Sequence, residues 1–194
     1  MNVLSLFDGM SCGQIALNRL GIKYYNYYAA EIDKYAIEVT KKNFPNTIHL
    51  GDVTKVKAAD LEPIDLLMGG SPCQGFSFAG KQLNFDDPRS ALFFEFVRLL
   101  KECKPKYFLL ENVRMKKIYQ DVITEHLGVE PIMINSSLLS APIHHLHILT
   151  ALVVSSFHLH QPYLDWPQLW EIVSFVLHFL RSMIFFSSLQ QNLF

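Results

Sequence analysis

The stretch whose reading decides the fold is Asn2-Val3-Leu4-Ser5-Leu6-Phe7-Asp8-Gly9-Met10-Ser11-Cys12-Gly13-Gln14-Ile15-Ala16-Leu17-Asn18-Arg19-Leu20-Gly21. Asn2 to Phe7 is a short apolar run, the length of a strand rather than a helix. The glycines at 9 and 13 then let the backbone turn tightly and pass close to a ligand. From Gln14 to Leu20 the spacing of Ile15, Ala16 and Leu20 is helical, and Gly21 is placed to cap that helix. The same grammar repeats along the chain. Tyr24–Ala30 reads as an aromatic strand ending in Glu31-Ile32-Asp33, and Lys34–Asn43 as a helix stopped by Pro45. Thr47–Leu50 is a short strand into Gly51-Asp52-Val53, and Ile64–Met68 a buried strand into Gly69-Gly70-Ser71-Pro72-Cys73-Gln74-Gly75. A polar loop to Pro88 leads to an amphipathic helix over Arg89–Cys103. The strand Tyr107–Leu110 follows, running into Glu111-Asn112-Val113, and then a helix and a strand to about Asn135. Strand–helix alternation with short connections predicts an α/β fold, a parallel sheet with helices on both faces. Ligands of such sheets lie at the carboxyl ends of the strands, where all the unusual tripeptides fall.

Composition narrows the class. The chain has 194 residues, half of them apolar and 18% charged, which excludes a disordered or acidic solvating protein. A net charge of −1 gives no global basic field toward nucleic acid. Cys12, Cys73 and Cys103 are too few and scattered for a disulfide framework or a zinc site, so no metal is expected and a reducing, cytoplasmic setting is. The N-terminus has no basic n-region and meets Asp8 too early for a signal peptide.

The averages conceal a split. From Pro142 to Phe194 the only charges are Asp165, Glu171 and Arg181, the last glycine is Gly128, and six of the eight histidines lie there. Residues 1–141 are expected to form one domain and 142–194 an atypical apolar tail, without turn glycines or a charged surface.

Each strand end has a functional and a bland reading. The Gly9-x-x-x-Gly13 turn is not the Gly-x-Gly-x-x-Gly of dinucleotide sites; it is a ligand turn or an ordinary turn before a helix. Glu31 lies 18 residues after Gly13, near the spacing at which an acid accepts from ribose hydroxyls, or else it is a solvated turn acid. Asp52 either meets an adenine amino group or caps the segment starting near Thr54. Cys73, between Pro72 and Gly75, is a candidate nucleophile or an inert thiol. His49 and His126, the only histidines before residue 142, lie far from it in sequence, which disfavours a Cys–His hydrolase. Glu111 is an acid with a raised pKa or a strand-end carboxylate bonded to an amide.

In this order, Phe7-Asp8-Gly9, Glu31, Gly51-Asp52-Val53, Pro72-Cys73-Gln74 and Glu111-Asn112-Val113 resemble the cytosine-5 DNA methyltransferases over about residues 1–141. Asp86-Asp87-Pro88-Arg89-Ser90 running into Leu92-Phe93-Phe94-Glu95-Phe96 is similar to the family's segment between nucleophile loop and Glu-Asn-Val strand, with wording close to the de novo branch. The resemblance implies a Rossmann-like S-adenosylmethionine-dependent sheet of the type found in restriction–modification enzymes, in a chain that looks bacterial or phage-borne. It implies Cys73 as the nucleophile at cytosine carbon 6, Glu111 as the acid at ring nitrogen 3, and Pro72 and Asn112 as their supports. For the cofactor it implies Phe7 with the turn Asp8, Gly9, Met10 and Gly13 at the methionine end. Glu31 would take the ribose, Ile32 would pack on adenine, and Asp52 and Val53 would meet its edge. The partner would be duplex DNA with its cytosine flipped out under the 75–88 loop.

After Ile134-Asn135-Ser136-Ser137-Leu138-Leu139-Ser140-Ala141 the family's Gln/Asn-x-Arg-x-Arg stretch is expected, and Pro142-Ile143-His144-His145-Leu146-His147 stands there instead. On this resemblance the target-recognition region is expected to be missing, and the alternative function is an inactive fragment that at most binds the cofactor. A frameshifted or read-through tail is the expected account of residues 142–194. A histidine metal cluster lacks an acid or cysteine nearby, and a membrane span over Leu169–Leu189 is interrupted by Glu171, His178 and Arg181. From Arg98 to Lys117, seven basic residues form either a phosphate-facing edge or a solvated helix face.

Overall fold

The computed structural model describes residues 1–71, 88–113, 115–135 and 148–155. Among the described residues seven strands form one sheet: β1 (Val3–Leu6), β2 (Tyr27–Ala30), β3 (Ile48–His49), β4 (Leu66–Gly70), β5 (Tyr107–Val113), β6 (Ile132–Asn135) and β7 (Ile148–Ser155). The described residues also form four α-helices: α1 (Cys12–Arg19), α2 (Lys34–Asn43), α3 (Pro88–Cys103) and α4 (Lys117–Leu127). The spatial order is β3-β2-β1-β4-β5-β7-β6. The first five strands are parallel neighbours, so the sheet expected from the alternation is the one observed.

Alternate residues of each strand feed two cores, as the pleat requires. Val3, Tyr27, Ala29, Leu66, Met68 and Leu109 pack with Ala16 and Leu17 of α1. Leu4, Leu6, Tyr28, Leu67, Phe108 and Leu110 pack on the opposite side with Phe93, Phe96 and Leu99 of α3 and with Ile123 of α4. Both faces are therefore covered, and the chain must expose its chemistry at a sheet end.

One expectation is corrected and one strand boundary moves. The sheet does not stop at residue 141, because Ile148–Ser155 inserts as β7 between β5 and β6, antiparallel to both. Eight residues of the expected tail thus supply ladder hydrogen bonds; residues 136–147 and 156–194, with the histidines at 144, 145 and 147, lie outside the described residues. The strand expected over Tyr107–Leu110 also runs on through Glu111-Asn112-Val113, the last part of β5. Its register with Ala151, Thr150 and Leu149 extends the strand by three residues, since a run at a strand end stays extended when a neighbour pairs with it. Two 3₁₀ turns, Val53–Lys55 and Ala58–Asp60, fill the β3–β4 connection. Among the described residues no helix is long and apolar enough to cross a membrane.

Candidate functional site

The carboxyl ends of β1, β2 and β3 present one group of expected residues and those of β4 and β5 the other. In the first, β1 delivers Phe7 and Asp8 into a turn with left-handed backbone at Phe7, Gly9 and Ser11 (φ 57°, 57° and 62°). Gly9 adopts that region freely; Phe7 and Ser11 do so against a steric penalty. β2 delivers Glu31. Its Oε2 accepts the Gly9 amide at 2.7 Å, and its Oε1 accepts the amides of Ile32 at 2.8 Å and Asp33 at 2.9 Å. One carboxylate therefore joins two strand ends 22 residues apart and is held in one orientation, with lone pairs still available to hydroxyl donors. Beside it Ile32 is 77% exposed, an apolar side chain outside both cores. Asp33 caps α2 by accepting from the amides of Tyr35 and Ala36, which ends β2 and turns the chain away from the site.

Asp52 caps the first 3₁₀ turn: its Oδ1 accepts from the Thr54 amide at 3.0 Å and the Thr54 hydroxyl at 2.8 Å. These bonds hold its carboxyl below the usual range. The capping alternative raised by the sequence is therefore realised, and a carboxylate remains at the end of β3. In the same turn the Val53 side chain is buried in the core and its carbonyl accepts from Arg98 at 3.2 Å. Gly13 serves the packing of α1. A Cβ there would lie 2.7–2.8 Å from Met68 Cε and Sδ and from the Tyr27 hydroxyl, so its lack of a side chain lets α1 sit against β2 and β4.

At the second group, β4 ends in Gly69-Gly70 and β5 carries Glu111 directly opposite Gly70. The Glu111 carboxyl lies over Gly70, where an added Cβ would meet its Oε2 at 2.6 Å. Burial without a charged or hydrogen-bonding partner among the described residues pushes this carboxyl up to about 7. Next to it Asn112, buried and facing the other side of the sheet, donates to Ser71 Oγ at 3.4 Å and so ties β5 to the chain leaving β4. Pro72 and Cys73, which follow Ser71, lie outside the described residues. Of the described cysteines, burial pushes Cys12 up to about 12 and raises Cys103, so neither is a thiolate near neutral pH. His126 packs on Phe93 and Phe94 with Nδ1 at 2.8 Å from the Val122 carbonyl, and serves α4.

The basic edge read from residues 98–117 dissolves in part into local structure. Arg98 pairs with Glu95 and Glu102, and Lys117 pairs with Asp121. Gly70 and the buried residues Ser11, Gln14 and Tyr27 were missed by sequence reasoning. Their only sequence signals were a glycine pair at a strand end and polar side chains on otherwise apolar faces.

With this geometry in place, the comparisons decide the family. The model of the C-5 cytosine-specific DNA methylases matches residues 1–121 of the 194. The chain belongs to that family. Among curated relatives, the type II methyltransferase M1.ScrFI of Lactococcus lactis subsp. cremoris is 44% identical over 117 residues, 60% of this chain and 30% of that protein. The orphan methyltransferase M.SPRI of Bacillus phage SPR is 43% identical over 116 residues, 59% of this chain and 26% of that protein. The chain thus spans less than a third of the length of these relatives. Among solved structures, a DNA modification methyltransferase encoded within an Escherichia coli prophage superposes with a TM-score of 0.65 at 30% identity, over 80% of this chain and 47% of that one. The DNMT2 of Spodoptera frugiperda superposes at 0.64 and 24% identity, over 84% of this chain and 52% of that one, a likeness of fold alone. The sheet is the Rossmann-like one of the S-adenosylmethionine-dependent methyltransferases, as the motifs implied.

Proposed function

We propose that this chain carries the cofactor-binding and catalytic half of an enzyme that methylates carbon 5 of cytosine in DNA from S-adenosylmethionine, in the cytoplasm of a bacterial or phage-infected cell. The observation that carries the reading is Glu111: a buried carboxyl that keeps its proton to about 7, seated on Gly70 two residues from Pro72-Cys73 in sequence. A carboxylic acid with that pKa can donate a hydrogen bond at physiological pH, which a surface glutamate cannot.

The residues of the first group fit the cofactor. Glu31 is fixed by three amides and can accept ribose hydroxyls, Ile32 offers an exposed face to adenine, and Asp52 adds an acceptor at the next strand end. The Phe7–Gly13 turn, with Asp8, Gly9 and Met10, borders the methionine end. When bound, S-adenosylmethionine supplies an electrophilic methyl group. Carbon 5 of cytosine is a poor nucleophile, so the protein must activate it. The Cys73 thiolate adds to carbon 6, and Glu111 protonates or hydrogen-bonds ring nitrogen 3 so that charge does not build on the ring. Carbon 5, now enamine-like, takes the methyl; loss of its proton then breaks the sulfur–carbon 6 bond and frees Cys73. The base must leave the duplex to reach these groups, since neither can enter a stacked helix.

Transfer of tritiated methyl from S-adenosylmethionine to duplex DNA by the 194-residue chain tests the reading, with Cys73→Ala as the control. Incorporation that survives the substitution would overturn the covalent route. A second reading, cofactor binding without turnover, is favoured by one observation: no lysine or arginine occurs from Ile118 to Leu180, where phosphate contacts from the family's Arg-x-Arg stretch are expected. Cofactor binding with no incorporation would decide for it.

Two expected results follow from the site itself. Glu31→Ala weakens S-adenosylmethionine binding by roughly 1–3 kcal/mol, the range for hydrogen bonds to a charged group. Calorimetry reads this directly, and an unchanged dissociation constant would place the ribose elsewhere. The second concerns pH. In the unfolded chain the Glu111 carboxyl ionises near 4.5, whereas in the fold it holds its proton to about 7. The unfolded state therefore gains by ionising first, and stability falls as pH rises from about 4.5 to about 7. Glu111→Gln removes that slope. Relative to the parent, the variant gains about 2 kcal/mol in urea denaturation between pH 5 and pH 8. Parallel pH profiles of the two proteins would show that the carboxyl is not held protonated.

A further inference from the structure

Behind the Phe7–Gly13 turn lies a run of buried and half-buried polar side chains that starts at Asp8 of the turn and continues through residues the chemistry above does not use. The Tyr27 hydroxyl donates to Asp8 Oδ1 at 2.8 Å, and Ser11 Oγ donates to Asp8 Oδ2. Gln14 Nε2 donates to Ser11 Oγ at 3.1 Å and to Thr47 Oγ1 at 2.8 Å, and the Tyr24 hydroxyl donates to Gln14 Oε1 at 2.9 Å. Ser11, Gln14 and Tyr27 are no more than 2% exposed. The run crosses from the end of β1 through α1 to β2 and to the segment before β3.

Its placement is specific to the turn. Ser11 occupies the N-cap position of α1, yet its side chain caps no helical amide; the hydroxyl is committed to Asp8 and Gln14 instead. Its backbone is left-handed, a conformation that costs a non-glycine residue about 1 kcal/mol and persists only where the surroundings impose it. A buried polar network is not needed to hold a helix on a sheet, since apolar residues of similar volume do that at least as well. What the network supplies is one shape for the turn. Other tethers hold the turn through its backbone: the Gly9 amide donates to Glu31, the proposed ribose acceptor, the Thr40 hydroxyl donates to the Gly9 carbonyl, and the Asp8 amide donates to the Ala30 carbonyl; none uses a side-chain atom of the network.

We propose that Asp8, Gln14 and Tyr27 are positioning residues that hold the Phe7–Gly13 turn in the shape that receives the amino-acid end of S-adenosylmethionine, separately from the adenosine end held by Glu31. The inference rests on reading this turn as the methionine side of the cofactor site. It predicts that the two ends of the ligand can be weakened independently.

The test uses the full 194-residue chain and two ligands, S-adenosylmethionine and methylthioadenosine; the latter keeps the nucleoside and sulfur but lacks the amino-acid end. Tyr27→Phe removes only a hydroxyl, and Gln14→Leu removes the two donors and the acceptor of the amide. Tyr27→Phe, which loses one hydrogen bond, is expected to weaken S-adenosylmethionine about tenfold, and Gln14→Leu, which loses three, by at least as much; both leave methylthioadenosine within about twofold. Glu31→Ala weakens both ligands. If both network variants bind S-adenosylmethionine as the parent does, or lose the two ligands in equal proportion, the positioning role is wrong while the Glu31 result still supports the cofactor site. If the parent binds neither ligand, the cofactor reading fails and this inference with it. Should Gln14→Leu not fold, Tyr27→Phe alone carries the comparison, because its ring still fills the α1–β2 contact.

Discussion

Serine in place of Cys73 is expected to abolish methyl transfer to DNA while leaving S-adenosylmethionine binding within a few-fold. An alcohol at this position ionises far above neutral pH and is a much weaker nucleophile than a thiolate, so addition to carbon 6 falls by about a thousandfold or more. The residues proposed for the cofactor, Glu31, Asp52 and the Phe7–Gly13 turn, lie at the ends of β1, β2 and β3, whereas Cys73 follows β4. Neither Cys12 nor Cys103 can substitute, because burial keeps both protonated. Filter-bound tritium and calorimetry on the same preparation check the division. Simultaneous loss of turnover and cofactor binding would contradict it.

The second large effect separates two adjacent glycines. An alanine Cβ at Gly69 meets the Leu6 carbonyl oxygen at 2.7 Å, a backbone atom of the central strand β1 that cannot move without opening the β1–β4 ladder. Gly69→Ala is therefore expected to destabilise the fold by about 3 kcal/mol, the upper range for overpacking a core. At Gly70 the same Cβ meets only Glu111 Oε2, at 2.6 Å, the free end of a side chain. Gly70→Ala is expected to change stability by less than about 1 kcal/mol, because the carboxyl swings aside. The same swing displaces the acid by an ångström or more and lowers methyl transfer by about a hundredfold. Denaturation midpoints and turnover, measured together, read both outcomes. Equal effects of the two substitutions would mean that Glu111 has no fixed seat on Gly70.

The sequence by itself determined the parallel β1–β5 alternation, the strand-end placement of Glu31 and Asp52, and the family through its five ordered motifs. These are local properties: an apolar run, a glycine turn and a cap occupy a handful of adjacent residues, and their physics is complete within that window. Asp52 shows the limit within one residue, since its cap on Thr54 was legible and its place beside β2 was not. Only the tertiary structure decided what depends on neighbours far apart in the chain. The pairing of Ile148–Ser155 with β5 and β6 overrode a composition that argued against a packed segment, because a strand needs only extended backbone and a neighbour's open ladder. Gly13 owes its lack of a side chain to Met68 and Tyr27, and Gly70 to Glu111 across 41 residues of sequence, contacts that no local pattern encodes. The Tyr27–Asp8–Ser11–Gln14 network is of the same kind: each member is an ordinary polar residue in its own segment, and burial against the others alone gives it a role.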